Sequence, residues 1–565
     1  MRRKMENQKN HLQICSEYCK KPVYPLETLW QTVNRTGNKN PNSTALMYLN
    51  KKVTYKEMLK KIAKVHSALV SAGVKKGDKV TLCLPDIPQA VYLLYAVNRM
   101  GAVACFVHPL SSQIEITEYI RLTKSTCVVT LDTLYEKFKG VAGEITVILT
   151  SPYDEAGGFE SSLYSFKNYK TTNILRGKKG VFLWKSLVNN KEVKMYDSVS
   201  VSCFEPAVIL FSGGTTGKSK GVVISSFALN AIGVQTGLVC GCDVSDKRML
   251  TVLPLYHGFG LGVCVHAMLM HGGCSVLIPR FTAETFVKSI KKYRPNFLCG
   301  VPTMFDAILK YDCKGKLDLS CLRGVFCGGD SLSQKLKLKF DRYLKENGAT
   351  VKIREGYGLT ECVAVSCLTP CNFSRQGSVG IPLPDMCFKI CKRNTTDEAL
   401  IGEEGEICIC GPTLMLSYLD DKAETDKALK LHKDGKRWLH TGDAGVMDED
   451  GFVYFRQRIK RIIITSGYNV YPSQIEELLN SHPAVEKCCV TGVKDSYKVQ
   501  RIKACIVVKK GLPSGGELRQ ELFDYCGRNL PRYTPVSEIE FAEFLPTTRY
   551  GKIDYRRIEN TELIQ

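Results

Sequence analysis

The stretch from Phe211 to Gly221 reads F-S-G-G-T-T-G-K-S-K-G. It comes after Ala207-Val208-Ile209-Leu210, an apolar run of the kind that forms a buried strand. Glycines let backbone N–H groups approach a ligand closely, hydroxyls add donors, and lysines add positive charge. That is the chemistry of a loop that wraps phosphates, although the same composition also marks ordinary turns. Two sharper patterns compete. A P-loop, G-x-x-x-x-G-K-[ST], fits at Gly217-Lys218-Ser219 but needs glycine at position 212, which is Ser212. A nucleophile elbow, G-x-S-x-G, fits Gly217 to Gly221 letter for letter and would make Ser219 a hydrolase nucleophile. An elbow is a strand-to-helix turn, however, and Val222-Val223-Ile224-Ser225 is β-branched and strand-like.

Further on, Gly356-Tyr357-Gly358-Leu359-Thr360-Glu361 sets a flat ring between two glycines and adds a carboxylate able to hold Mg²⁺. Thr441-Gly442-Asp443 is either a plain turn or a carboxylate placed to accept from ribose hydroxyls, as acidic residues do at other nucleotide sites.

The glycine-rich stretch resembles the phosphate-binding signature of the adenylate-forming (AMP-binding) superfamily, [ST]-S-G-[ST]-T-G-x-P-K-G, in its acyl-CoA synthetase or fatty-acid–CoA ligase form. Gly213 stands in place of a serine and Ser219 in place of the proline, and the aligned lysine is Lys220, not Lys218. The resemblance implies that Ser212, Gly213, Gly214, Thr215, Thr216, Gly217 and Lys220 hold the phosphates of ATP. It implies that Tyr357 with Gly358 stacks the adenine, that Thr360 contacts the α-phosphate and that Glu361 binds the metal. Gly329 and Asp330 fall among the nucleotide-binding positions. Asp443 and Arg458 would hold the ribose, with Gln457 replacing the glycine usual before that arginine. Lys460 takes the hinge position.

Ser466-Gly467-Tyr468-Asn469-Val470-Tyr471-Pro472 matches S-G-x-x-[VI]-x-P, so Gly467 would line a pantetheine tunnel. Pro546 to Ile553 resembles P-x-T-x-x-G-K-[IV], which makes Lys552 the catalytic lysine. Pro254-Leu255-Tyr256-His257-Gly258 and Gly402 to Ile407 fit two further family segments, and His257, Val301 and Gly328 would border the acyl pocket. The matches run in order from about Val53 to Ile553.

The implied reaction has two steps. A carboxylate attacks the α-phosphate of ATP, pyrophosphate leaves, and a thiol then attacks the acyl carbon and expels AMP. No enzyme nucleophile is needed; positioning and charge neutralisation by Mg²⁺, Lys220 and Lys552 suffice. Coenzyme A is the expected thiol, with a carrier protein as the alternative acceptor. The acid is expected to be a fatty or aromatic monocarboxylate. A serine hydrolase using Ser219 and a non-enzymatic basic binding protein are the readings from other classes.

The elements that must position these residues keep a strand–helix–strand rhythm. Met58, Ile62, Val65 and Leu69 recur at helical spacing up to Gly73; Val80–Leu84, Pro88–Met100 and Ala102–Val107 read as strand, helix and strand. Val325-Phe326-Cys327 opens into Gly328-Gly329-Asp330, and Thr350–Ile353 reads as a strand opening into Arg354–Glu361. Ligands in such sheets bind beyond the carboxyl ends of the strands. The expected fold is α/β: a large N-terminal domain of parallel-rich sheets with flanking helices, residues 1–457, and a small C-terminal α+β domain on a hinge, residues 458–565. In the latter, Ile502, Ala504, Ile506 and Val508 alternate on one strand face, and Leu518, Leu522 and Tyr525 share a helix face.

The 565 residues exceed one ordinary core. A formal charge of +22 suits anionic ligands, with the lysines scattered as a solvated surface. The 25 cysteines lack C-x-x-C zinc spacing: Cys15/Cys19, Cys367/Cys371 and Cys387/Cys391 are x₃ pairs. They read as small buried residues in a reducing cytosol, and a cytoplasmic enzyme is expected. Met1-Arg2-Arg3-Lys4 is basic with no apolar run behind it. Phe259–Pro279 is long enough to span a bilayer but breaks at Gly272-Gly273, so a buried helix and a strand are expected there.

Overall fold

A computed structural model describes residues 18, 20–156, 179–189, 200–212, 219–312, 317–465, 468–495, 499–530, 534, 536–547 and 553–560. Local signals build the elements they predict. Thr54 accepts the Glu57 backbone N–H and Glu57 reaches back to that of Thr54, which starts the helix Tyr55–Ser71. Its Met58, Ile62, Val65 and Leu69 are all buried, and Gly73, at φ +92°, turns the chain away. Pro88 opens the helix Pro88–Arg99, which crosses between the parallel strands Lys79–Cys83 and Val103–Phe106.

The chain folds into two compact units. The first comprises Met1–Phe388, Ile409–Leu439 and Asp450–Val453. Two sheets dominate it. An eight-stranded sheet runs Ser417–Tyr418, Lys220–Ser225, Pro206–Ser212, Val103–Phe106, Lys79–Cys83, Cys127–Leu131, Thr146–Thr150 and Val181–Leu183, parallel from Pro206–Ser212 onward. A nine-stranded sheet carries, as adjacent parallel neighbours, Ile353–Gly358, Gly324–Cys327, Phe297–Gly300 and Arg248–Thr251.

The strand Ile353–Gly358 lies later than Thr350–Ile353, where apolar content placed it. Its glycines and tyrosine are held by antiparallel pairing of Gly356, Tyr357 and Gly358 with Leu368, Cys367 and Val365. Hydrogen bonding to a neighbour extends it, which no apolar pattern shows. The run from Phe259 forms helical turns to Met270 and then the strand Cys274–Leu277. No helix among the described residues is long and apolar enough to cross a membrane.

The second unit comprises Lys389–Cys408, His440–Glu449 and Tyr454–Gln565. Its core sheet runs Tyr468–Val470, Ile463–Thr465, Val499–Val508 and Val485–Asp495, with Val536–Phe541 parallel to Val499–Val508. Ile502, Ala504 and Ile506 face the helices Pro472–Ser481 and Gly516–Asn529. Cys526, not Tyr525, completes the buried face with Leu518 and Leu522, because the tyrosine hydroxyl stays at the surface with Ser481.

Candidate active site

Four neighbouring parallel strands end on the same edge of the nine-stranded sheet. Arg248–Thr251 leads to Pro254–Gly258, Phe297–Gly300 to Val301, Gly324–Cys327 to Gly328-Gly329-Asp330, and Ile353–Gly358 to Thr360-Glu361. The loops press together where they carry glycine. A Cβ on Gly258 would stand 1.5 Å from the Val363 carbonyl oxygen, and one on Gly358 would stand 1.7 Å from that of Ala364. A Cβ on Gly328 would lie 3.3 Å from the Gly356 carbonyl oxygen and 3.4 Å from the Phe259 ring, and one on Gly329 3.4 Å from Val301. Val301, Gly328 and Gly329 are thus brought together, with Phe259 added. No motif picks out Phe259; its place two residues after His257 is the local signal it carries. His257 itself is exposed and its Nδ1 accepts from the Phe259 N–H at 3.3 Å. Asp330 is exposed, and its carboxylate accepts from the Ser331 N–H at 2.9 Å.

Tyr357 is buried, with its ring edge-on to Phe388 at 6.4 Å. Thr360 and Glu361 lie on a short turn directly after the strand. The Tyr418 hydroxyl donates to Glu361 Oε1 at 2.9 Å, and Lys220 Nζ lies 4.5 Å above the same tyrosine ring. Lys220 also donates to Glu424 at 2.5 Å, and this bond, with one from Lys427, pulls the Glu424 carboxyl down to about 2. Lys220, Tyr418 and Glu361 therefore form one continuous cluster. Glu361 fits Mg²⁺: it presents a hard carboxylate oxygen, and only Oε1 is engaged by the tyrosine.

Glu355, which no motif singles out either, sits just before Gly356. Burial pushes its carboxyl up to about 7, against the Leu332 N–H and Lys337.

Ser212 pairs with Lys220 across the antiparallel strands Pro206–Ser212 and Lys220–Ser225. Gly213, Gly214, Thr215, Thr216 and Gly217 lie outside the described residues. Ser219 leads straight into the strand Lys220–Ser225, as expected, so the elbow context is absent. Ser219 Oγ accepts from the Tyr119 hydroxyl at 3.0 Å.

In the second unit Asp443 is buried at 1 % exposure. Its Oδ1 lies 3.0 Å from Arg458 Nε, and Arg458 also donates to the Thr441 carbonyl at 3.1 Å. Glu406 secures the turn before it: one oxygen accepts from His440 Nδ1 at 2.7 Å, the other from the Gly442 N–H at 2.9 Å. Gly442 has φ +71°, and Thr441 Oγ1 donates to the Ile407 carbonyl at 2.7 Å. Glu406, Cys408 and His440 bring ligand atoms within 4.8 Å of one another, yet both carboxylate oxygens are already used, so this is a clamp on the turn. In the sequence Glu406 matches a family segment, and that match carries no sign of the clamp.

Gln457 is buried and its carbonyl faces Ser473 at the start of the helix Pro472–Ser481. Lys460 lies on a short turn, Ile459–Arg461. Gly467 and Lys552 lie outside the described residues; Thr547 and Ile553, on either side of Lys552, form an antiparallel bridge.

The chain resembles known proteins over most of its length. The AMP-binding enzyme family matches residues 33–419, and the AMP-binding enzyme C-terminal domain matches residues 474–552. A long-chain-fatty-acid–CoA ligase of Bacillus subtilis is 31 % identical over 554 residues, covering 95 % of both chains. A probable CoA ligase of Humulus lupulus is 31 % identical over 507 residues, covering 89 % of this chain and 86 % of that one. Among solved structures, o-succinylbenzoate CoA synthetase of Bacillus subtilis with its acyl-adenylate intermediate superposes with a TM-score of 0.79 at 23 % identity, covering 95 % of this chain and 99 % of that one. The ATP-bound MatB of Rhodopseudomonas palustris gives 0.79 at 22 %, covering 94 % and 98 %. The chain belongs to the AMP-binding enzyme family.

Proposed function

We propose that the acid activated by this enzyme is a long-chain fatty acid. The chain is an AMP-forming acyl-CoA synthetase: it joins a carboxylic acid to coenzyme A by way of an acyl-AMP, at the expense of ATP. The observation that carries the choice of acid is the strand-end cluster of Phe259, Val301, Gly328 and Gly329, which is apolar and uncharged. Such a surface accepts an alkyl chain and offers no cation to a second carboxylate. The Bacillus subtilis and Escherichia coli relatives are long-chain-fatty-acid–CoA ligases, which agrees with that surface.

The residue roles are part of the proposal. Lys220 carries positive charge to the phosphates, released from Glu424 as the anion arrives. Tyr357 offers its ring to the adenine, and Asp443, steadied by Arg458 and Glu406, accepts from the ribose hydroxyls. Thr360 donates at the α-phosphate. Mg²⁺, held by Glu361, supplies charge neutralisation on the phosphates. Lys552 serves acyl-AMP formation and Gly467 the approach of the thiol, with Lys460 as hinge. The enzyme is assigned to the cytoplasm. The test is thioester formation across saturated acids from two to eighteen carbons, with benzoate and coumarate alongside and coenzyme A or a carrier protein as acceptor. The long saturated acids with coenzyme A should have the highest kcat/KM; a maximum at an aromatic or short acid rejects the proposed substrate.

A further inference from the structure

The cysteines are the feature of the sequence that the ligase reaction does not use, and one of them has an unusual neighbour. Arg354 is buried at 6 % exposure. Its Nε donates to the Thr369 carbonyl at 2.7 Å and its Nη1 to the Val239 carbonyl at 2.8 Å. Nη2 is buried with no hydrogen-bond partner, and among the described residues no carboxylate pairs with this guanidinium. The ionisable acceptor it does reach is Cys371 Sγ, 3.0 Å from Nη1. A buried cation without a counter-charge is costly, and a thiolate at Sγ removes much of that cost. Cys371 is exposed, so reagents reach it. An accessible thiol beside a fixed cation is the setting in which thiols ionise and react.

A second cysteine lies next to this contact, its own thiol donating to the Gly237 and Cys242 carbonyls at 3.2 and 2.9 Å. Cys371 Sγ lies 4.0 Å from the Val239 carbonyl oxygen and 2.9 Å from where a Cβ on Gly241 would sit, so it abuts the backbone on both sides of Cys240. Cys240 is buried, and burial pushes its thiol up to about 11 even with Arg354 nearby. The two thiols are therefore unequal: one exposed and bonded to a guanidinium, one sheltered and held protonated.

We propose that Cys371 is an arginine-stabilised thiolate that peroxides oxidise to a sulfenic acid, which Cys240 then resolves to a disulfide. In the first step the thiolate sulfur attacks one peroxide oxygen and the O–O bond breaks. Sulfur is oxidised by two electrons, and the departing hydroxide takes a proton to become water. In the second, the Cys240 sulfur attacks the sulfenic sulfur; the S–S bond forms, the S–O bond breaks, and the oxygen leaves as water with the Cys240 proton. The disulfide deprives Arg354 of its negative partner. Arg354 lies on the strand Ile353–Gly358, three residues before Tyr357, so oxidation lowers ATP-dependent turnover.

Cys387 supplies an internal control, because it is also exposed and has no arginine bonded to it among the described residues. With the full-length enzyme at pH 7, iodoacetamide should alkylate Cys371 about tenfold faster than Cys387, as mapped by mass spectrometry; equal rates overturn the thiolate. Limiting hydrogen peroxide should give a linked Cys240–Cys371 peptide in the wild type and a dimedone adduct at Cys371 in Cys240→Ser. Finding neither overturns the oxidation step. Cys371→Ser, which leaves Arg354 Nη1 a neutral oxygen acceptor and cannot form the disulfide, should lose the dithiothreitol-reversible inhibition by peroxide; unchanged sensitivity in that variant overturns the link to activity.

Discussion

Asp443 and Lys220 stand in opposite mechanical situations. Asp443 is buried, with Arg458 beside it and a turn pinned by both oxygens of Glu406. Lys220 keeps 21 % of its side chain exposed and is held by Glu424, itself 30 % exposed, and by the face of Tyr418. The first is fixed before any ligand arrives; the second is parked on contacts that a phosphate can replace. Under the proposed roles the difference suits the ligand group that each residue would hold. A ribose is neutral and stays put, so rigid acceptors cost least. The triphosphate changes charge and loses pyrophosphate, so its partner must let go.

Substitutions can break that contrast, the most damaging first. Gly258→Ala would drive a methyl group to within 1.5 Å of the Val363 carbonyl oxygen, and backbone cannot move aside as a side chain can. Such overpacking costs roughly 1–3 kcal/mol or more, and here it displaces the Glu361 turn. Acid-dependent pyrophosphate release should be lost, while circular dichroism still reports a folded chain.

Glu406→Ala comes next. It leaves the Gly442 N–H and His440 Nδ1 without their acceptor, about 1–3 kcal/mol for each group left unsatisfied. ATP affinity by calorimetry should fall with the slackened turn, whereas Glu406→Gln, which keeps an acceptor for Gly442, should lose less. Equal affinity in wild type and Glu406→Ala would mean that the rigidity around Asp443 is not used.

These two effects also show what was legible in the sequence. Motif spacing singled out Tyr357, Glu361 and Asp443, and the strand–helix–strand rhythm indicated parallel sheet, because period and turn residues are local. The clamp was not legible. Glu406 and Gly442 are 36 residues apart, and a carboxylate on a strand carries no mark of what it accepts from. Phe259 and Tyr418 escaped for the same reason: each acts across strands brought together by pairing. In the sequence Arg354 only opens the stretch Arg354–Glu361, and burial without a carboxylate partner among the described residues is what makes it unusual. The segments Lys389–Cys408 and His440–Glu449 join the second unit across long stretches of chain, which a reading in order does not reveal.

A pH series sharpens the contrast at the strand ends. Glu355 carries a folded-state value of about 7 against an ordinary 4.5, so the folded chain holds a proton that the unfolded chain has shed between those values. Its stabilising contribution is full below about pH 4.5 and is lost as pH rises through 7. Glu355→Gln should remove that dependence. Its advantage over the wild type in unfolding free energy, from urea titrations, should be negligible at pH 4 and largest at pH 8, on the order of a few kcal/mol at most. A constant difference across the range would contradict the burial argument.

The smallest effect is expected at Glu424. Exposed ion pairs contribute about 0–1 kcal/mol, so Glu424→Gln should leave thermal stability nearly unchanged. It should tighten ATP binding by at most about fivefold, since Lys220 no longer has a competing carboxylate. Weaker ATP binding would mean that Glu424 aims the lysine instead of parking it.

In the proposed mechanism positioned charge activates the acid, with no serine nucleophile. Quantifying AMP, pyrophosphate and acyl-CoA in the wild type, Lys220→Ala and Ser219→Ala tests this most directly. One AMP and one pyrophosphate should appear for each thioester, only when ATP and acid are both present. Ser219→Ala should keep most of that turnover and Lys220→Ala should lose most of it. Acyl-ester or thioester cleavage without ATP, abolished by Ser219→Ala, would contradict activation by charge alone.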